Sequence, residues 1–539
     1  MTTARPDIVL ILADDMGFSD IASFGGEIET PALDRLAANG IRMTQFYNTA
    51  RCSPSRASLM TGLHPHQVGV GILNFDDLPD GYPGDLSAEC ATIAEVLSAN
   101  GYATYLSGKW HLSVDMEKPN QSWPTRRGFD RFFGTLEGAG SFYQPRTLMR
   151  DEVNIEQEAA EPGWFYTDQI TQNAVDFLRE HDEQQPDRPA FMFVSYTAPH
   201  WPLHAHDEDI QRYRGRFDAG WDQLREERLK CLVKQGIIDP GWELSPRDDR
   251  VPAWSEVEDQ QWQARRMETY AAQVDRMDQG IGRILDELER SGRLDNTIVI
   301  FLSDNGGCAE EMPPEKVAEF VTAFVPMKMT TQRGEQVEPG NVPGLDPGPE
   351  TTYQSYGRCW ANLSNTPFRE YKHWVHEGGI ATPFIVHWPA GLREGSSGGG
   401  DLCTEPAQLV DVLPTLAAAA GATYPSDRDG HRVPPPEGVD LLPTWRGAAG
   451  SSRDLFWEHE GNCAIRRGRW KLVRKYRHDW ELYDIDADRT ELRDLAGEHP
   501  ELVAELAGAY AEWAERCGVI PRDRVLQLYA ERGHGLPEE

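Results

Sequence analysis

Five segments share one pattern, a short apolar run rich in β-branched residues that ends in polar or charged positions: 7–12, 103–107, 190–196, 296–302 and 383–387. Between them a helical periodicity recurs over 32–39, 91–100, 168–180 and 271–291. Strand and helix alternating over this length predict a large α/β sheet covered on both faces. The run Ile298-Val299-Ile300-Phe301-Leu302 has no polar alternation, as a strand buried on both sides requires.

Segments rich in Gly, Pro, Trp and charge at 72–86, 139–165, 201–265 and 308–357 interrupt the alternation and read as long insertions over one edge of the sheet. A helix is predicted over 405–419, with Gly421 ending it. The proline-rich stretch 422–452 reads as a boundary. Short strands follow at 455–458, 462–466, 470–474 and 480–484, then helices over 498–515 and 521–532. The expectation is a mixed, mostly parallel sheet sandwiched by helices in a domain spanning 1–430. A small C-terminal α+β domain with an antiparallel sheet would span 451–539.

Composition narrows the partners. Lys plus Arg is 53 against 87 for Asp plus Glu, a net charge of -34, which repels nucleic acid and anionic membranes. A small anionic substrate remains compatible, because a local basic cluster outweighs a screened distant field. The apolar run 8–13 has acidic neighbours and is too short for a signal core or a membrane span, so the chain is expected to be cytoplasmic. None of the eight cysteines forms a CxxC pair, so neither a cysteine zinc site nor a disulfide scaffold is expected.

Candidate chemistry lies just after the predicted strands. Asp14-Asp15 follows the first, Lys109 and His111 the second, His200 the third, and Asp304-Asn305 the fourth. In an open α/β sheet the carboxyl ends of parallel strands share one edge, where ligands bind. If these strands are parallel, residues far apart in sequence meet in one pocket. Asp14, Asp15, Asp304 and Asn305 offer hard oxygen donors suited to calcium, magnesium or manganese, although each pair read singly is equally a helix cap or turn. Arg56, Lys109 and Lys372 supply positive charge for an anionic group, with His111 and His200 available for proton transfer. Cys52 stands at the predicted start of a helix. On physical grounds alone a cysteine nucleophile, an anion-binding turn and a buried structural thiol all remain open there.

The run Cys52-Ser53-Pro54-Ser55-Arg56-Ala57-Ser58-Leu59-Met60-Thr61-Gly62 resembles the CxPSRxxLxTG signature of type I sulfatases. Asp14-Asp15-Met16-Gly17, Gly108-Lys109-Trp110-His111, Arg127-Gly128-Phe129-Asp130, Ala198-Pro199-His200-Trp201-Pro202 and Ser303-Asp304-Asn305-Gly306-Gly307 extend the likeness. Asn365-Thr366-Pro367-Phe368-Arg369, Lys372 and Glu377-Gly378-Gly379-Ile380 carry it to about residue 420, and Trp480-Glu481-Leu482-Tyr483-Asp484 resembles the family's second domain. Lys372-His373-Trp374 departs from the small residues often found there.

The resemblance implies an alkaline-phosphatase-like fold and an arylsulfatase close to bacterial enzymes without a signal peptide. It implies that a formylglycine-generating enzyme converts Cys52 to 3-oxoalanine, whose hydrate attacks a small sulfate ester. One calcium ion, ahead of magnesium or manganese, would sit on Asp14, Asp15, Asp304 and Asn305, with Asp304 also acting as base. Arg56 and Lys109 would hold the diol and sulfate, and His111 would take a proton from the second hydroxyl. His200, as general acid, and Lys372 would flank the leaving oxygen. A phosphonate monoester or phosphodiester hydrolase is the rival enzyme, and an inert binding protein the rival should Cys52 stay unmodified. Trp123, Tyr143, Trp164, Trp201 and Trp221 either wall an aromatic leaving-group pocket or pack beneath the insertions.

Overall fold

The strand Asp7–Ala13 (β1) is apolar from Ile8 onward because it lies between two parallel neighbours inside a ten-stranded sheet. The computed structural model describes residues 5–74, 81–315, 329–392 and 400–531. The other strands of this sheet are Ile41–Met43 (β2), Ala103–Gly108 (β3), Arg131–Thr135 (β4), Leu148–Arg150 (β5), Val153–Asn154 (β6), Ala190–Ser195 (β7), Thr297–Ser303 (β8), Phe384–His387 (β9) and Asp401–Cys403 (β10). Their order is β10-β2-β9-β8-β1-β7-β3-β4-β5-β6. From β8 to β4 the neighbours run parallel, whereas β9 is antiparallel to β8 and β2, and β5 to β4. The sheet is therefore mixed and mostly parallel, as expected.

The period-two alternation of a strand sends successive side chains into two separate cores. Ile8, Leu10 and Leu12 join Phe191, Phe193, Ile298 and Ile300 on one face. That face is covered by the helices Cys52–Thr61, Ile93–Ala99 and Val412–Ala420, through residues such as Leu59, Leu97 and Leu416. Val9 and Ile11 join Met192, Val194, Val299 and Phe301 on the other. There the cover is Pro31–Ala38, Tyr166–Gln184 and the long helix Gln260–Arg290, through Leu36, Phe177 and Ile281. Each such side chain contributes about 1.5–3 kcal/mol on burial, which fixes the register of the central strands and hence the position of their ends.

Differences from the sequence reading are local. The span 405–419 is not one helix: Ala407–Gln408 pairs with Phe46–Tyr47, a turn follows over Leu409–Asp411, and the helix starts only at Val412. The Asp411 carboxylate accepts the Gln408 N–H at 2.7 Å and holds the chain turned there. Gly421 does end the helix, at φ 60°. The segment 201–265 contains the helices Asp207–Arg212 and Gly220–Lys234 and the start of Gln260–Arg290. Residues 75–80 of the segment 72–86, 316–328 of 308–357, and residue 532 of the last expected helix lie outside the described residues.

At the C-terminus Asp454–His459 (β11), Asn462–Arg467 (β12), Trp470–Arg474 (β13) and Glu481–Asp484 (β14) form an antiparallel meander. One face, with Cys463, Ile465, Leu472 and Leu482, packs on Leu506, Tyr510 and Trp513 of the helix Pro500–Cys517. The opposite face, with Trp457, Ala464 and Val473, merges with the core of the large sheet. Buried Lys471 reinforces this junction, 2.8 Å from both Glu377 and Glu491. Among the described residues no helix is long and apolar enough to cross a membrane.

Candidate active site

Because β1, β3, β7 and β8 are parallel, their carboxyl ends open on one edge of the sheet. Asp14 and Asp15 leave β1, Lys109 and His111 follow β3, His200 follows β7, and Asp304 and Asn305 leave β8. Cys52 and Arg56 come from the helix Cys52–Thr61, and Lys372 from a loop whose backbone N–H binds the Gly307 carbonyl at 3.1 Å. All ten residues expected at the site are at most 4 % exposed.

Two charge clusters meet here. Lys109 Nζ donates to Asp14 Oδ2 at 2.5 Å, and Arg56 Nη2 donates to Asp304 Oδ2 at 2.9 Å. Lys372 Nζ donates to Asp15 Oδ2 at 2.8 Å and lies 3.4 Å from His200 Nε2. Asn305 Nδ2 donates to Asp15 Oδ1 at 2.7 Å. Asp15 and His111 both have positive φ, 65° and 60°, backbone strain of the kind that gathers at functional sites. Gly306 lets this turn close, since a Cβ there would sit 1.9 Å from the Gly378 carbonyl oxygen.

Burial sets the proton affinities. It would raise Asp15, but Lys372 and His200 outweigh it and hold the carboxyl well below its ordinary value. Asp304 is instead pushed up to about 7, by burial and by the charge of Asp14. Burial lowers His200 to about 3, against the opposing pull of Asp15, and drives His111 well below its usual value with help from Lys109 and Arg56. Both rings are therefore neutral at physiological pH. His200 Nδ1 lies 2.6 Å from the Trp201 carbonyl, which can only accept, so Nδ1 carries the ring proton and Nε2 is bare. Both nitrogens of His111 are buried without a hydrogen-bond partner.

The donor set fits a hard cation. Asp14 Oδ1 and Asn305 Oδ1 are buried and lack hydrogen-bond partners, each an omission worth about 1–3 kcal/mol unless another group satisfies it. The repulsion that raises Asp304 is what a cation between the carboxylates would relieve. Asp14, Asp15 and His200 also present ligand atoms within 4.8 Å of one another.

Cys52 is the first residue of its helix, where Arg51 supplies no side-chain cap, so backbone N–H groups and the helix dipole face the site. Burial raises the thiol pKa more than Lys109 and Lys372 lower it. A cavity of about 860 Å³ reaches Lys372 and is lined by Arg51, Glu310, His373, Trp374 and Tyr476 among others. The aromatic wall thus comes from Trp374 and Tyr476. Trp123 and Trp221 are fully buried, Trp221 edge-on to Trp254 and Trp360, and of the five aromatics expected only Trp201 stands beside a site residue, 4.5 Å from the His200 ring.

Sequence reasoning passed over several residues. Ser195 Oγ accepts from Arg56 Nη1 at 2.6 Å, and Glu310 pairs with Arg51 at 2.9 Å and accepts from Trp201 Nε1 at 2.7 Å. Ser195 carried a signal, the polar end of an otherwise apolar strand; Glu310 carried none. Glu377, noted only as part of a motif, accepts from Tyr47, Lys471 and Arg489 at 3.0, 2.8 and 2.7 Å.

Comparison with known proteins agrees with this geometry. The sequence profile of the Sulfatase family matches residues 6–422, and that of the N-sulphoglucosamine sulphohydrolase C-terminal region matches 369–512. The chain is 32 % identical over 570 residues to an uncharacterised sulfatase of Schizosaccharomyces pombe, covering 99 % of this chain and 98 % of that one. It is also 32 % identical over 436 residues to an arylsulfatase of Klebsiella aerogenes, covering 77 % and 87 % of the two chains. Among solved structures, Ps i-CgsB in complex with k-i-k-neocarrahexaose superposes with a TM-score of 0.65 at 24 % identity, covering 95 % of this chain and 93 % of that one. The Bacteroides fragilis protein yidJ also gives 0.65, at 19 % identity, covering 96 % and 97 %. With the polar residues of that family's signature gathered at one sheet edge and its profile spanning most of the sequence, the chain belongs to the sulfatase family of sulfuric ester hydrolases.

Proposed function

We propose that the protein is an arylsulfatase that hydrolyses small sulfate monoesters to an alcohol or phenol and inorganic sulfate. In this reading Cys52 is matured to 3-oxoalanine by a formylglycine-generating enzyme, and one calcium ion is the cofactor. The observation that carries it is the position of Cys52, buried at an uncapped helix start within the fields of Lys109, Lys372, Asp14 and Asp304. A thiol whose pKa burial raises makes a poor thiolate, which favours a hydroxyl nucleophile derived from it over the sulfur itself. The 32 % identity to an arylsulfatase supports the aryl assignment.

Asp14, Asp15, Asp304 and Asn305 would hold the calcium ion, which supplies Lewis-acid polarisation of the nucleophile and of a sulfate oxygen. Arg56 and Lys109 bring fixed positive charge to the sulfate, already oriented by Asp304 and Asp14. Asp304 is the base toward the attacking hydroxyl. Neutral His111, with two unpartnered nitrogens, accepts the proton of the second hydroxyl as sulfate departs. The leaving oxygen lies between His200 and Lys372. With His200 Nε2 bare, Lys372 carries the proton of that pair, so the acid role expected of His200 passes to Lys372, and His200 orients the ammonium.

The test is one purified sample assayed with an aryl sulfate, a phosphodiester and a phosphonate monoester, together with mass spectrometry of the peptide containing residue 52. The expected peptide has exchanged a sulfur and two hydrogens for one oxygen, and the aryl sulfate is turned over fastest. Faster turnover of the diester or phosphonate would overturn the substrate assignment. An unmodified cysteine in fully active protein would overturn the nucleophile.

A further inference from the structure

Beyond the carboxylate cluster, His373, His459 and Glu460 bring three possible ligand atoms within 4.8 Å of one another. His459, the last residue of β11, is 1 % exposed, yet neither of its ring nitrogens has a hydrogen-bond partner. Two orphaned nitrogens on a buried ring are costly, because each lost its water on folding.

The neighbours complete a donor set. Glu460 Oε2 lies 3.1 Å from His373 Nδ1 and 3.9 Å from His459 Nε2, and the two imidazole centroids are 5.4 Å apart. The other oxygen of Glu460 lies 3.0 Å from Arg522 Nη1, an ion pair without hydrogen-bond geometry, and Oε2 is the oxygen that faces the histidines. His373 and Glu460 also line the cavity that reaches Lys372, so a fourth position there is open to water or a ligand.

We propose that His373, His459 and Glu460 form a second metal site, which takes a divalent transition ion of the zinc class. Two imidazoles and one carboxylate with an open fourth position are the donor pattern of zinc rather than of calcium, which prefers oxygen ligands throughout. The site does not depend on the hydrolytic reading, since none of its three ligands belongs to the proposed catalytic set.

The experiment uses the full-length protein, stripped of metal and then kept in excess calcium so that the carboxylate cluster is filled. Zinc uptake is measured by elemental analysis, and cobalt(II) is added as a spectroscopic probe. The expected result is about one equivalent of zinc, and cobalt absorption bands of a low-coordinate nitrogen-oxygen site. Affinity should fall at least about tenfold in His459→Ala and in Glu460→Gln, the latter keeping the side-chain shape should the former fold poorly. The proposal is overturned if wild-type protein takes up no zinc in excess calcium. It is equally overturned if Glu460→Gln and His373→Ala bind zinc as tightly as wild type.

Discussion

Arg56 donates from Nε at 3.2 Å and from Nη2 at 2.9 Å to one oxygen of Asp304, a residue 248 positions later in the chain. Its Nη1 reaches Ser195 Oγ at 2.6 Å and the Lys109 carbonyl at 3.2 Å, so one guanidinium ties together the ends of β3, β7 and β8. Arg56→Ala leaves a buried carboxylate without its partner and is expected to destabilise the fold by about 3–5 kcal/mol in urea titrations. Arg56→Lys keeps the charge but not the fork of donors, and kcat on an aryl sulfate should fall by about a hundredfold or more.

Lys372 and His200 should be separable by the leaving group. Lys372→Met removes the proton carrier, and its rate loss, about 10²- to 10⁴-fold for an alkyl sulfate, should shrink as the leaving phenol becomes more acidic. His200→Asn should show a smaller loss with the same trend. A Brønsted plot of kcat/KM against leaving-group pKa for both variants checks this, and a flat difference across the series would remove Lys372 from the acid role.

Metal removal should cost stability as well as activity. Without the metal ion Asp14, Asp15 and Asp304 keep their Lys and Arg partners, but the repulsion of Asp304 by Asp14 goes unrelieved, so chelation is expected to lower Tm and abolish sulfate ester hydrolysis, with calcium restoring both. An ion present at a hundred times its Kd adds about 2.7 kcal/mol. Full activity in protein verified metal-free would contradict the assignment of Asp14, Asp15, Asp304 and Asn305.

Glu137 predicts a pH dependence of stability. Burial raises its carboxyl from 4.5 to about 8, more than the charge of Arg146 and the N–H bond from Arg146, at 3.0 Å, lower it. A folded-state pKa above the unfolded value means that the native state binds the extra proton. The contribution is therefore complete below pH 4.5 and is lost as pH rises through about 8. Thermal melts of wild type should fall across that window relative to Glu137→Gln, by an amount on the order of a few kcal/mol. Parallel curves for the two proteins would contradict the shift.

The central strands were legible in the sequence because a strand buried on both faces needs an unbroken apolar run, and β1, β7 and β8 each have one. The signature around Cys52 and the acidic pairs at 14–15 and 304–305 were legible too, since local order alone writes them. The short outer strands β2, β5, β6 and β10 were not, because two or three residues acquire strand conformation only from the neighbours they pair with. Asp411 overrode the helical pattern of 405–419 for a similar reason, binding the Gln408 N–H locally.

What only the tertiary structure decided is which charges share a site. The contact of Arg56 with Asp304, the pairing of Lys372 with Asp15 and the bare Nε2 of His200 all depend on strand direction and burial, which no local sequence pattern encodes. The grouping of His373 with His459 and Glu460 arises where a loop of the large sheet meets a hairpin of the small one. Sequence by itself determined the inventory of reactive groups. Packing of distant segments determined their neighbours, and through desolvation their protonation, because both depend on surfaces that exist only once the chain has closed on itself.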